Sequence, residues 1–208
     1  MDHIDKVYYI NLDHRTDRNE QFLSWIQESS FPESKVERVS AVHTPGRGHI
    51  GCILSHLKVL ETFLASSHKN CIIFEDDFVP LHIATFWDNF QRFFSSNLLY
   101  DVVMGSYNVE KVTDAPVPFL KRIHSAYTTS SYLITKEYAS KLFQFLKDLP
   151  RLALEEEAIT MRKTHQYTLD VYWCNLMAED TWYCFYPRIG KQEMSYSDIE
   201  QCYVNHNV

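Results

Sequence analysis

Glu75, Asp76 and Asp77 stand directly behind the apolar run Cys71-Ile72-Ile73-Phe74 and ahead of Phe78-Val79-Pro80, so a buried strand is expected to end in a packed acidic turn. Side chains alternate along extended backbone, which predicts Glu75 and Asp77 on one side and Asp76 on the other. Two carboxylates aimed at one point repel unless a cation lies between them, and an all-oxygen ligand set suits Mg2+ or Mn2+. Taken alone, such a triplet also reads as a solvated acidic loop after a core strand. The surrounding segments decide between the two.

The elements that must position this turn follow from periodicity. Residues 7–10 form a first apolar strand, and Asn11-Leu12-Asp13-His14-Arg15 is turn chemistry leading to a helix capped by Thr16, with Phe22, Leu23 and Ile26 on its apolar face. A short strand is expected over 36–42, then a loop through Thr44-Pro45-Gly46-Arg47-Gly48-His49. A helix follows over 50–65, its glycine-rich start leaving backbone N–H groups open to an anion. Further strands over 71–74 and 100–105, with a helix over 83–94 between them, continue the alternation and imply a layered α/β domain with parallel pairing. Ligands in such sheets collect at the carboxyl ends of strands, where both Asn11-Leu12-Asp13 and the acidic turn fall. Residues 112–118 lose periodicity and read as an irregular loop; 127–134 has strand composition, and 136–147 is an amphipathic helix. A second acidic triplet, Glu155-Glu156-Glu157, sits in a charge-rich helical stretch and reads as a solvated face.

Length and composition bound the function classes. A chain of 208 residues with 45% hydrophobic and 14% aromatic content forms one globular domain spanning 1–208. The net charge of -7, with Lys and Arg scattered, argues against a nucleic-acid partner. No apolar segment is long enough to span a bilayer and no signal-peptide pattern opens the chain, so the chain is expected to be cytoplasmic, or else a domain cut from a larger protein. The five cysteines show no C-x-x-C spacing and read as thiols, most of them buried.

Three segments, Tyr9-Ile10-Asn11-Leu12-Asp13-His14-Arg15-Thr16-Asp17-Arg18, Gly51-Cys52-Ile53-Leu54-Ser55-His56-Leu57 and Ile72-Ile73-Phe74-Glu75-Asp76-Asp77, together resemble glycosyltransferase family 25. The resemblance continues through Tyr132-Leu133-Ile134 with Ala139 and Leu142, Leu169-Asp170, and Tyr186-Pro187 with Gln192 and Ser197-Asp198-Ile199. It implies a GT-A fold, a nucleotide-sugar donor that is usually a UDP-hexose, a glycan or glycoprotein acceptor, a divalent metal (Mn2+ or Mg2+), and transfer with inversion. Glu75 and Asp77 would hold the metal. Asp76 would contact ribose or the sugar, or accept a backbone N–H within the turn. Asn11, Arg15, Arg18, Ser55, His56, Gln192 and Ser197 match family blocks and would line the donor, with Arg15 favoured over Arg18 as the phosphate contact; either arginine also reads as a surface partner of Asp13 or Asp17.

An inverting transfer needs a base for the acceptor hydroxyl. Asp170, flanked by apolar residues where a bare carboxylate is costly, is the first candidate, against the alternative of a helix cap. Asp198 is the second, and His206 is a further possible metal ligand by analogy. Tyr138 stands where many relatives carry glycine, and the hydroxyl-rich 128–131 departs from the family pattern. Two other classes compete: a metal-dependent phosphohydrolase, and a non-catalytic sugar- or partner-binding module with a relic site.

Overall fold

The computed structural model describes residues 3–193 and the backbone of 195–197 and 202–204. In chain order, β1 (Lys6–Asn11), α1 (Thr16–Glu28), β2 (Val36–Ser40), α2 (Gly48–Ala65), β3 (Asn70–Glu75) and β4 (Phe78–Pro80) are followed by α3 (Ile83–Ser95). Next come β5 (Val102–Met104), β6 (Asn108–Asp114), β7 (Leu120–Tyr127), β8 (Ser131–Thr135), α4 (Lys136–Leu146), α5 (Leu149–Thr160), α6 (Leu169–Tyr172) and α7 (Cys174–Met177). β9 (Trp182–Phe185), β10 (Gly190–Gln192), β11 (Ser195–Ser197) and β12 (Cys202–Val204) complete the order.

Eight strands form one mixed sheet in the order β2-β1-β3-β8-β5-β9-β7-β6. β1 pairs in parallel with both β2 and β3, while β8 runs antiparallel to β3 and β5. Strand alternation then builds two cores. Tyr8, Ile10, Cys71, Ile73, Tyr132 and Ile134 face α2, α4 and α5 on one side of the sheet. Val7, Tyr9, Ile72, Phe74 and Leu133 face α1 and α3 on the other, a layer dominated by Phe22, Trp25, Phe86, Trp87, Phe90 and Phe93. Each of these large rings contributes about 1.5–3 kcal/mol by leaving water, so the first half of the sheet is a rigid platform.

Three local expectations change. The first helix begins at Thr16, but its cap position is Arg15 and no side chain caps it. Residues 112–118 are not a loop throughout: β6 reaches Asp114 and makes a hairpin with β7. As the outermost strand it packs only Val109 and Val112, both partly buried, against the core, which is why its apolar pattern fades, and a bulge near Lys111 breaks its register. Residues 127–134 are not one strand, because Thr128 adopts a left-handed φ of 77° and breaks the extended chain between the end of β7 and the start of β8. Tyr138 is a core residue, its hydroxyl donating to Asp180 at 2.8 Å and accepting from Trp182 Nε1 at 2.9 Å. No helix among the described residues is long and apolar enough to cross a membrane.

Candidate active site

β3 ends at Glu75 because its neighbours end there. The Glu75 N–H donates to Ser130 O at 3.0 Å and the Asp76 N–H to Ile10 O at 3.1 Å, after which the chain turns. Extended alternation therefore stops at Glu75, and the three carboxylates are sorted by turn geometry. Glu75 Oε1 takes His56 Nε2 at 3.1 Å and the Thr129 hydroxyl. Asp76 and Asp77 instead share one guanidinium: Arg18 donates from the same nitrogen to Asp76 Oδ1 at 3.0 Å and to Asp77 Oδ2 at 3.3 Å. The expectation that Asp76 turns away from Asp77 is corrected by this shared contact.

The electrostatics differ along the triplet. Burial works against charge on Glu75, but the bonds from His56 and Thr129, with Arg18 nearby, outweigh it and hold the carboxyl below its ordinary value. Burial raises Asp76, partly offset by Arg18 and by Asn11. Asp77 is pushed up to about 7, first by burial and then by the charge of Glu75. A single guanidinium does not neutralise this much buried negative charge.

The polar residues around the triplet divide into those that hold carboxylates and those that hold backbone. Asn11 is almost fully buried and fully engaged, donating to Asp76 Oδ2 at 2.7 Å and to Arg15 O at 3.0 Å while accepting from Arg38 Nε at 2.8 Å. It orients Asp76 rather than offering a spare amide. Arg38, not singled out by the sequence, also pairs with Asp13 at 2.7 Å. Arg15 forms a bidentate pair with Asp17 at 3.0 and 2.8 Å, while Arg18 faces the acidic turn. Ser55 donates to Gly51 O at 2.6 Å and accepts from Val42 N at 2.8 Å, fastening the loop after β2 to α2. His56 is buried with both ring nitrogens used, the second by the Tyr132 hydroxyl at 2.9 Å. Cys52, one turn earlier on α2, brings its sulfur within 4.8 Å of ligand atoms of His56 and Glu75.

A second set of contacts ties the far end of the chain to the turn. β10 pairs with β4, placing Gln192 opposite Phe78. Gln192 Nε2 reaches Asp77 Oδ1 at 3.5 Å, and the Glu193 N–H donates to Asp77 O at 2.7 Å. Thr128 is the hub. Its hydroxyl donates to Gln192 Oε1 at 2.7 Å and its N–H to Asp170 Oδ2 at 3.3 Å, while the next residue, Thr129, holds Glu75. A β-branched residue at positive φ costs about 1–3 kcal/mol and persists only where the surroundings over-determine it. Here the contacts to Gln192 and Asp170, and that of Thr129 to Glu75, do so. Asp170 lies in the first turn of α6 and no side chain caps that helix, so it is not the cap. The structure thus joins Glu75, Asp76, Asp77, Arg18, Gln192 and Asp170 through Thr128 and Thr129, which the sequence marked only as hydroxyl-rich. Ser197 closes β11, while Asp198 and His206 lie outside the described residues.

The comparisons with known proteins bear on the family and the fold. The model of glycosyltransferase family 25 (LPS biosynthesis protein) matches residues 38–160, more than half of the chain and including the acidic turn. No curated protein sequence matches the chain. Among solved structures, a UDP-glucose pyrophosphorylase complexed with UDP-glucose is similar at a TM-score of 0.51 and 8% identity, over 95% of this chain and 97% of that one. The mannose-1-phosphate geranyltransferase from Thermus thermophilus is similar at 0.50 and 7%, over 86% and 72%. At these identities the likeness concerns the fold, which is the α/β GT-A type with a mixed central sheet flanked by helices.

Proposed function

Since the chain belongs to glycosyltransferase family 25 and is therefore a glycosyltransferase, we propose that it moves a hexose, with inversion and with a divalent cation, from a nucleotide sugar to a hydroxyl of a glycan or protein-linked acceptor. The observation that carries this reading is the buried acidic turn, where Asp76 and Asp77 share one arginine beside Glu75 and Asp77 is held up to about 7. That excess of buried negative charge, presented by oxygen donors, fits a hard cation such as Mn2+ or Mg2+. Glu75 and Asp77 would hold it. When bound, the cation would stabilise the negative charge that develops on the departing diphosphate, worth several kcal/mol. A UDP-linked donor is in keeping with the UDP-glucose held by the pyrophosphorylase of the same fold.

The remaining roles fall to this chain's own groups. Arg18, fixed by Asp76 and Asp77, presents its guanidinium toward phosphate oxygens. Asp76 and Asn11 position Arg18 and the end of β1 rather than bind sugar. His56 and Thr129 keep Glu75 ionised and aimed. Asp170, oriented by the Thr128 N–H, takes the proton of the acceptor hydroxyl as that oxygen attacks the anomeric carbon opposite the leaving diphosphate. Asp198 remains the second candidate base. Gln192, on β10 beside β4, and Ser197, at the end of β11, would complete the donor side.

Incubation with Mn2+ and a panel of nucleotide sugars tests the reading. Donor hydrolysis that needs the metal is expected, and Asp170→Asn should keep Mn2+-dependent UDP binding while transfer drops by about a hundredfold or more. Absence of both hydrolysis and metal-dependent UDP binding would overturn the assignment.

A further inference from the structure

The proposed transfer leaves Cys52 without a task, although it adjoins the acidic turn. It is a free, partly buried thiol on α2, and His56 follows it by one helical turn, so both side chains leave the helix on one face. The end of β3 brings Glu75 up to that face. One ligand atom from each of the three lies within 4.8 Å of the other two, and His56 Nε2 is 3.1 Å from Glu75 Oε1. Spacing along the chain does not reveal the group, because its third member arrives from β3, 19 residues after His56.

The geometry is close to what a tetrahedral ion requires. With bonds of about 2.3 Å to sulfur and about 2.0–2.2 Å to nitrogen and oxygen, the three ligand atoms would stand about 3.4–3.6 Å apart. The nitrogen–oxygen edge is already shorter than this, and no edge is longer by more than about 1.4 Å, a distance within reach of side-chain rotation. The outer contacts fit as well. The second ring nitrogen of His56 meets the Tyr132 hydroxyl at 2.9 Å, and the Thr129 hydroxyl holds Glu75 Oε1, the kind of contact that orients a metal-bound imidazole or carboxylate. A hydroxyl both donates and accepts, so Tyr132 holds the ring whether Nε2 carries a proton toward Glu75 or gives its lone pair to an ion. Glu75 keeps 19% of its side chain exposed, against 1% for His56, so an ion enters from the carboxylate side.

We propose that Cys52, His56 and Glu75 form a metal site of their own for a thiophilic divalent ion, Zn2+ foremost, and that filling it withdraws Glu75 from the cation held with Asp77. The donor set decides the ion: thiolate and imidazole favour Zn2+, whereas Mn2+ and Mg2+ favour oxygen. Binding forms bonds to sulfur, nitrogen and oxygen, releases the thiol proton to water, and leaves a fourth position for a water molecule. Both sites draw on one carboxylate, and the oxygen of Glu75 that meets His56 lies on the α2 side, so the thiophilic ion is an inhibitor of the transfer. The inhibition rests on the glycosyltransferase reading; the site rests on the three side chains alone.

Co2+ tests the site without any turnover, because a cobalt–thiolate bond gives a charge-transfer band in the near ultraviolet. The full chain, kept reduced with a thiol-free reductant, should show that band on addition of Co2+ and lose it when Zn2+ displaces the cobalt. Cys52→Ser should lack the band, while Cys174→Ser should keep it. Stoichiometric Zn2+ should also abolish Mn2+-dependent UDP binding in the wild type, and Cys52→Ser should relieve that loss. No charge-transfer band in the wild type, a band that survives in Cys52→Ser, or one that disappears in Cys174→Ser would overturn the site. UDP binding indifferent to Zn2+ in a protein that shows the band would overturn the inhibition. A band in a protein that binds no UDP with Mn2+ would instead keep the site and sink the transferase reading.

Discussion

Asp77→Asn separates stability from function, because the same carboxylate is costly to the empty fold and proposed as essential to the loaded one. Its pKa rises from an ordinary 3.8 to about 7 through burial and the charge of Glu75. A raised folded-state pKa means that the folded chain binds the extra proton, so this group's stabilising share is complete below its unfolded value and is lost as the pH climbs toward the folded one. At about pH 7.5 the ionised group costs the fold about 4 kcal/mol, and at about pH 5 only about 2 kcal/mol of that cost is present. The amide in Asp77→Asn escapes the cost. It also places a donor against either Arg18 or Gln192, a penalty of about 1–3 kcal/mol that does not vary with pH. The constant penalty cancels in the difference: by urea denaturation with chelator present, the variant should gain about 2 kcal/mol on the wild type between about pH 5 and about pH 7.5. Saturating Mn2+ should then stabilise the wild type, by about 2.7 kcal/mol at a hundred times its dissociation constant, and leave Asp77→Asn unmoved. A stability gap that stays flat across that pH range would refute the electrostatic reasoning, and equal Mn2+ stabilisation of both proteins would refute the ligand role.

Other substitutions probe the scaffold of the site. Thr129→Val keeps the shape but leaves Glu75 without its hydroxyl partner; stability should fall by about 1–3 kcal/mol, and kcat should fall more than the donor KM rises, as steady-state kinetics will tell. Arg18→Met strands Asp76 and Asp77 without their shared cation, which should cost about 3–5 kcal/mol by denaturant titration unless Mn2+ is supplied to recover part of it. Gly190→Ala would set a Cβ 2.1 Å from the Phe78 ring, so β10 must move off β4; a drop of about 1–3 kcal/mol and weakened UDP binding through the displaced Gln192 are expected, and an unchanged melting temperature would contradict that packing.

Much of the sheet was legible because its strands are buried on both faces and read as short apolar runs: 7–10, 71–74 and the helices over 50–65 and 83–94 fall within a residue or two of the observed bounds. β6 was hidden for the converse reason, since an edge strand with an exposed pattern carries no apolar signature. The acidic turn was legible as a location but not as a geometry. Alternation predicts directions only while the strand lasts, and β3 stops at Glu75, so the pairing of Asp76 with Asp77 through Arg18 is a property of the turn. Which of Arg15 and Arg18 meets the acidic turn depended on where α1 starts relative to β1, a matter of one turn of helix that residue types do not record.

Thr128 shows what a single chain conceals most effectively. Its neighbours in sequence read as strand, and its hydroxyl looks like surface chemistry, yet its left-handed backbone lets consecutive residues point to opposite parts of one site: Thr128 to Asp170 and Gln192, Thr129 to Glu75. An extended Thr128 would continue β7 into β8 and remove the kink from which both residues reach the site. The strain is therefore what couples the proposed base to the proposed cation ligands, and it explains why the segment is built of small hydroxyl residues. Ser130 and Ser131 beside it are fully buried, with Ser130 hydrogen-bonded to Ser106 and Ser131 opposed by Gly105, where any Cβ would come within 2.6 Å of the Ser131 hydroxyl. Bulkier side chains there would force the kink open. The proposed catalytic arrangement thus depends on close packing beneath the threonines as much as on the carboxylates above them.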